Sequence, residues 1–348
     1  MPSAATVALV ESPAQLLNVV EWAAQAGDDA SDLRVVVLAP VNEVSRRQLR
    51  AMSVLARTEG LVVQWHEPRL GGAATARTVR SLAAELAGVR RLVIGDPFSG
   101  VLQVVLSISR APEVVIVDDG TATVEFARQW VAGEHLTRWH HVATPGHRRQ
   151  ISSFARDQIS HSVRRRIGPG SGCRLSLFTS LDVELPRVPV VRNRFAWVRS
   201  RFPAPQVKLG ADLIGTSLVE TGVVDGDAYL DGVASLVGQY AVDRYFAHRK
   251  EAEPKLARIA RLGVRIVRPD LPLEIAARQG VLARRLISFP STVVHTLPLV
   301  LADTAAELLV CDISDSWYTA SAPARSEGFL GDVSSSARHR FGLAAVAC

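Results

Sequence analysis

The chain is 348 residues long, 48% hydrophobic, 21% charged and 6% aromatic, with 24 Gly and 18 Pro spread along its length. That composition excludes disordered, collagenous and disulfide-stapled classes, and at roughly 100–200 residues per domain it predicts two domains, each able to bury a core unaided. The net charge of +6 is carried almost wholly by arginine, lysine occurring only at Lys208, Lys250 and Lys255.

Short β-branched apolar runs alternate with longer amphipathic ones through the first 135 or so residues. The runs predict strands at Thr6–Val10, Leu33–Leu38, Leu61–Trp65, Arg91–Ile94 and Val114–Val117. Between them Pro13–Ala26, Val44–Arg57, Ala73–Ala87, Val101–Ser109 and Thr121–Val131 carry helical spacing. Strands alternating with helices imply a parallel sheet covered on both faces. Ile167-Gly168-Pro169-Gly170-Ser171-Gly172 continues neither pattern and is the strongest linker signal, so the domain boundary is expected there.

Beyond it the alternation resumes. Strands are predicted at Arg174–Phe178, Ala211–Ile214, Arg244–Ala247, Val264–Val267, Leu286–Ser288 and Leu308–Cys311. Helices are predicted at Asp227–Gln239, Glu251–Leu262, Leu273–Gln279 and Thr292–Leu301. The expected architecture is two Rossmann-like α/β domains, residues 1–168 and 173–330, with a ligand cleft at the carboxyl ends of both sheets. The stretch after Trp317, ending in a tail at 331–348, reads as either a crossing helix or a loose end.

Four segments carry candidate chemistry. Asp118 and Asp119 end a buried strand and precede Gly120 and Thr121; like charges this close raise one another's pKa, and a raised carboxylate can serve as general base, although either could simply cap the next helix. His248, with Arg249 and Lys250 beside it at another strand end, suits a developing negative charge such as a departing phosphate, whereas a lone His there more often only bonds backbone. Ser291 and Thr292 open a predicted helix, where exposed N–H groups and hydroxyls suit a phosphate as well as a plain cap. Ser12 and Pro13 read as helix cap and first turn, with Gln15 and Asn18 on one face where they could hold a sugar hydroxyl. No GxGxxG follows the first strand, and Walker, HExxH and GxSxG motifs are missing, which turns the reading away from dinucleotide, P-loop, zinc-protease and α/β-hydrolase enzymes.

Taken in order, these sites resemble the bacterial sialyltransferases and polysialyltransferases of the GT-B fold, which share an acidic pair before Gly, a later His and a still later hydroxyl pair. The matching residues are Asp118-Asp119-Gly120, His248 and Ser291-Thr292, and the opening Val10-Glu11-Ser12-Pro13-Ala14-Gln15-Leu16-Leu17-Asn18 is similar to that of the lipooligosaccharide sialyltransferases. Leu177-Phe178-Thr179-Ser180, Gly215-Thr216-Ser217-Leu218-Val219-Glu220, Tyr229-Leu230 and Leu271-Pro272-Leu273-Glu274 agree as well, so the resemblance runs from about residue 7 to about residue 300. It implies a metal-independent, inverting transfer from a CMP-linked sugar, without cofactor, in the synthesis of a capsule or other surface glycan. One carboxylate of the pair, Asp118 or Asp119, would deprotonate the acceptor and His248 would meet the leaving phosphate. Nucleotide and phosphate contacts would fall to Ser291, Thr292, Arg249, Thr179 and Glu274, and acceptor-side contacts to Ser12, Gln15 and Asn18. One departure stands out: His248 is followed by Arg249 where the family usually has Pro.

Alternatives are a GT-B enzyme of another nucleotide sugar, a sugar-nucleotide epimerase, or a non-catalytic binding protein of the same fold. Basic residues are densest from Arg138 to Arg166, a patch suited to a polyanionic acceptor or to the anionic inner leaflet; with no interleaved aromatics it does not read as a nucleic-acid site. Cys173, Cys311 and Cys348 have no paired spacing, which suits a reducing cytoplasm. No charged leader or stretch of ~18 apolar residues is present, so a soluble cytoplasmic protein, at most peripheral to the membrane, is expected.

Overall fold

A computed structural model of the chain describes residues 5–27, 32–136, 158–323 and 325–347. They form two units, Met1–Asn193 and Arg194–Cys348. The first unit runs β1 (Thr6–Val10), α1 (Pro13–Ala26), β2 (Leu33–Leu38), α2 (Glu43–Thr58), β3 (Val62–His66), α3 (Gly72–Glu85), β4 (Arg91–Ile94), α4 (Gly100–Ile108), β5 (Glu113–Val117) and α5 (Thr121–Ala132). A helix over 158–167 (α6), β6 (Arg174–Thr179) and β7 (Val190–Arg192) complete it. Its seven strands lie in the order β3-β2-β1-β4-β5-β6-β7. β1, β2 and β5 are near-continuous Val, Ile and Leu because helices cover both faces, and Val7, Leu9, Val36, Ile94, Ile116, Phe126 and Leu177 form the core. α1 starts where it does because the Ser12 hydroxyl accepts the Gln15 N–H (3.2 Å) and Pro13 supplies a pre-set φ in the first turn.

The second unit contains α7 (Ala196–Arg201), β8 (Gln206–Ile214), α8 (Gly226–Tyr240), β9 (Val242–Phe246), α9 (Glu253–Ala260), β10 (Arg265–Val267), α10 (Leu273–Ala276), β11 (Val281–Ser288), α11 (Val293–Val300), β12 (Glu307–Cys311), α12 (Ser326–Phe341) and β13 (Ala344–Val346). Its sheet has the order β10-β9-β8-β11-β12-β13. Both sheets therefore grow outward in one direction from their first strand, then reverse: at β1/β4 in one unit and at β8/β11 in the other. Such reversals open a crevice at the strands' carboxyl ends, the usual ligand site of this topology. Tyr229, Phe289 and Trp317 centre the second core, with ring centroids 4.9, 6.2 and 6.3 Å apart.

The boundary expected at 168–172 lies inside the first unit. The predicted strand beginning at Arg174 pairs with β5 from Glu113↔Arg174 to Val117↔Phe178, and β7 pairs with β6 beyond it. A Gly- and Pro-rich run reads the same from composition whether it links domains or turns into a strand, and here it does the second. The division at Asn193 carries no such run; its mark is Phe195, held at φ 51°. Nor is the stretch after Trp317 loose: α12 packs on α11 and β13 pairs with β12 from Leu309↔Ala344 to Cys311↔Val346. Cys173 is a free, half-buried thiol.

Arg278 ties the second unit together. It is 2% exposed, and it donates to Phe202 O (2.8 Å), Val300 O (2.7 Å) and both carboxylate oxygens of Asp303 (2.7 and 3.0 Å). Arg278→Met keeps the stem but strands two carbonyls, so urea unfolding is expected to register a loss of about 2–4 kcal/mol.

Of the basic stretch, Arg138, His140, His141, His147, Arg148, Arg149 and Arg156 lie outside the described residues. Arg164 donates to Trp130 O (2.9 Å) and Gln129 O (3.3 Å) with its guanidinium 5.1 Å over the Trp130 ring. Arg166 donates to Ser109 O (2.6 Å) and to Ala111 O. Both serve packing; Arg165 is the exposed member of this trio. No helix among the described residues is long and apolar enough to cross a membrane.

Candidate active site

In the first unit the chain leaves β5 through Asp118 and Asp119 and turns into α5 at Gly120, whose φ of 70° only glycine adopts without strain. Asp118 is 1% exposed. Its Oδ1 accepts from the Thr123 hydroxyl (2.7 Å) and the Gly120 N–H (3.0 Å), and its Oδ2 from the Thr179 hydroxyl (2.9 Å) and the Ser180 hydroxyl (3.1 Å) and N–H (3.2 Å). Burial pushes this carboxyl above the usual range, against the pull of those donors. Asp119 is only half-buried, its Oδ1 taking a long bond from the Ser12 hydroxyl (3.4 Å) and its N–H donating to Thr123 Oγ1 (3.1 Å). The adjacent carboxylates thus divide: Asp118 is consumed in locking the β5–α5 turn to β6, while Asp119 reaches the surface at the carboxyl edge of the sheet.

Ser12 shares that edge, one residue past Glu11 at the end of β1. Gln15 and Asn18 do not present themselves to a sugar. Gln15 is 2% exposed and accepts the Glu11 N–H (2.7 Å), and Asn18, 7% exposed, donates to Ala14 O (3.1 Å) and Asp118 O (3.0 Å) and accepts from Asn193 (2.8 Å). They brace α1 against β1 and β5. Thr179 is likewise displaced from its expected place: it stands on β6 of the first unit, fully buried, bonded to Asp118. The error follows directly from placing the domain boundary before β6.

In the second unit the carboxyl edge carries the turn after β9, the end of β8 and the start of α11. His248 is half-buried in the β9–α9 turn. Its Nδ1 accepts the Lys250 N–H (3.3 Å), which leaves the proton of the neutral ring on Nε2. Burial first, then the charges of Arg249, Lys250 and Lys255, push its pKa down to about 3, so the ring is neutral near pH 7. Across the reversal, Thr292 stands at the N-cap of α11 with no side-chain cap bond, and its hydroxyl and that of Ser291 are engaged by no other described residue. Two hydroxyls at a helix start, whose dipole favours anions, are chemically suited to a phosphate. Glu274, on α10, accepts from the Thr296 hydroxyl of α11 (2.8 Å), and Arg249, next in the turn after His248, is half-buried.

The sequence reading did not single out Glu251, Lys255 and their neighbours. Glu251, 4% exposed, accepts from the Tyr245 hydroxyl (2.6 Å), the His248 N–H (2.5 Å) and Lys255 Nζ (2.8 Å). Lys255 also donates to Thr216 O (2.9 Å) and Glu220 (3.0 Å), and the Tyr229 and Tyr245 hydroxyls lie 2.7 Å apart. Burial raises the pKa of Glu251, with Lys255 opposing it. A Cβ on Gly215 would come within 2.4 Å of Glu251 Oε2 and of the Tyr245 hydroxyl, so the end of β8 is stripped to admit this group. The available signals were spacing alone: Glu251 stands three residues after His248 and Lys255 four after Glu251. Among the described residues no three His, Cys, Asp or Glu side chains gather as metal ligands.

No protein-family model and no curated protein matches the chain. Among solved structures it is similar to an α/β-galactoside α-2,3-sialyltransferase of Photobacterium phosphoreum, with a TM-score of 0.52 and 10% identity over 98% of each chain. The chain folds as GT-B glycosyltransferases do. It also matches a Photobacterium sp. JT-ISH-224 2,6-sialyltransferase solved with CMP and lactose (TM-score 0.48, 9% identity, 98% of this chain and 78% of that one). An Anabaena HepE structure with UDP and glucose matches at a TM-score of 0.47 and 11% identity, over 97% of this chain and 95% of that one. At such identities the GT-B likeness concerns architecture, and the chemistry rests on the side chains above.

Proposed function

We propose that this GT-B chain is an inverting, metal-independent glycosyltransferase that moves sialic acid, or a related nonulosonic acid, from a CMP-linked donor to a glycan hydroxyl in surface-glycan synthesis at the cytoplasmic face. The observation that carries the reading is the unengaged Ser291–Thr292 pair at the start of α11, on the same sheet edge as His248, in a chain whose other unit exposes Asp119 beside a buried partner carboxylate. Phosphate binding falls to the second unit and acceptor activation to the first.

In this mechanism Asp119 takes the proton of the acceptor hydroxyl, whose oxygen attacks the anomeric carbon from the face opposite the phosphate. The bond from that carbon to the phosphate oxygen breaks, CMP leaves with the electron pair, and the configuration inverts. The Nε2–H of His248 donates to the departing phosphate, which the Ser291 and Thr292 hydroxyls and the α11 N-terminus hold while Arg249 adds charge. Asp118 acts one step back by fixing the turn that carries Asp119. Arg249 in place of the family's usual Pro favours, as a second reading, a donor sugar other than sialic acid within the same nonulosonic class.

Titration calorimetry with CMP, and with UMP and UDP as controls, tests this. The wild type is expected to bind CMP selectively, and the Ser291→Ala, Thr292→Ala double variant to lose about 10²–10⁴-fold in affinity, as two bonds to a charged phosphate predict. Binding of UDP in place of CMP would leave the fold standing and remove the proposed donor.

A further inference from the structure

The turn that presents His248 is held from beneath by a buried carboxylate with its own counter-charge. Glu251 grips His248 twice: its Oε2 accepts the His248 N–H at 2.5 Å, and its own N–H donates to His248 O at 3.0 Å. The other oxygen, Oε1, is fixed by the Tyr245 hydroxyl of β9 (2.6 Å) and by Lys255 of α9 (2.8 Å). Lys255 is in turn held by Glu220 (3.0 Å) and by the Thr216 carbonyl at the end of β8 (2.9 Å), and its ammonium sits 4.6 Å from the centre of the Tyr229 ring. Gly215 leaves the space the carboxylate fills. Burying such a pair brings a desolvation cost that an apolar pair of similar size would not, and apolar residues would join β9 to α9 as well. What only the carboxylate provides is an acceptor, immobilised on three sides, for the backbone N–H of His248.

We propose that Glu251 is a positioning residue for His248: it fixes the turn after β9 so that the Nε2–H is presented at the carboxyl edge of the second sheet. The inference rests on the reading of His248 as the group that meets the leaving phosphate. Gln at position 251 can still accept the His248 N–H through its oxygen, but its amide nitrogen then faces the Lys255 ammonium, donor against donor, and the turn shifts.

The test is Glu251→Gln, with Tyr245→Phe as a milder second variant, in the full chain. With CMP-activated N-acetylneuraminic acid as donor, kcat is expected to fall about 10–100-fold in Glu251→Gln, the loss typical of a misplacement of about an ångström, while the donor KM changes little. Tyr245→Phe should lower kcat in the same direction by less. Independently of turnover, the His248 backbone amide proton, shifted downfield in the wild type by its short bond to a carboxylate, should move upfield in both variants, with a change in the ring nitrogen shifts. A folded Glu251→Gln protein with unchanged kcat, with a loss confined to KM, or with unmoved His248 resonances overturns the proposal. If Glu251→Gln does not fold, the same readings on Tyr245→Phe decide. A wild type that transfers nothing from the CMP donor removes the proposed function, and the resonance comparison then still decides whether Glu251 positions His248.

Discussion

Asp119→Asn is expected to lower kcat by about 10²–10⁴, the contribution of a lost general base, while unfolding free energy stays within about 0.5 kcal/mol of the wild type. The adjacent change should behave in the opposite way. Asp118 accepts from five donors, two of them backbone N–H groups that cannot reverse their polarity. An Asn amide would turn a donor toward some of them, so Asp118→Asn is expected to cost about 1–3 kcal/mol of stability, with activity reduced because the turn beneath Asp119 loosens. Steady-state kinetics and urea unfolding on the two variants separate these roles. A fully stable Asp118→Asn enzyme without activity, beside an active Asp119→Asn, would exchange the assignments.

His248→Ala is expected to lower kcat by about 10² through loss of the phosphate donor. The same residue gives the molecule a pH signature. Its folded pKa is pushed down to about 3, against 6.5 for an unperturbed imidazole, by burial and then by Arg249, Lys250 and Lys255. The unfolded chain therefore binds the proton more tightly than the folded one. Stability attached to this group is present above pH 6.5 and declines as the pH falls through the window between the two values. Urea unfolding at a series of pH values should show a shallower decline in His248→Gln than in the wild type. Equal slopes in wild type and variant would remove the pH assignment.

The elements were mostly legible because their period is set by burial. β1, β2 and β4 match the predicted strands residue for residue, as α1 does the predicted helix, since a strand covered on both faces reads as an unbroken apolar run and Ser12-Pro13 marks a helix start plainly. β7 and β13, three residues each, were not predicted as elements, and α12 was only one of two readings of the stretch after Trp317, because short edge strands and a polar, Ser-rich helix carry little periodicity. At the candidate site the residue types were visible but their states were not. Adjacent aspartates look alike in sequence; only the hydroxyls of Thr123, Thr179 and Ser180, up to 62 positions away, decide that Asp118 is the one enclosed. Gln15 and Asn18 look free on a helix face until the ends of β1 and β5 close over them. The cluster around Glu251 draws on β8, α8, β9 and α9, a convergence that single-sequence spacing registers only as Glu and Lys four apart.

Every strand pair in both sheets is parallel. A parallel pair cannot form by folding back at a hairpin, so as the chain leaves the ribosome each strand must wait for a whole crossover before its neighbour arrives. The wait is longest for β1, whose second partner, β4, begins only at Arg91. During that interval an apolar strand edge stands open to other chains, and a nascent protein of this design is one that a holding chaperone would be expected to meet between the synthesis of β1 and that of β4.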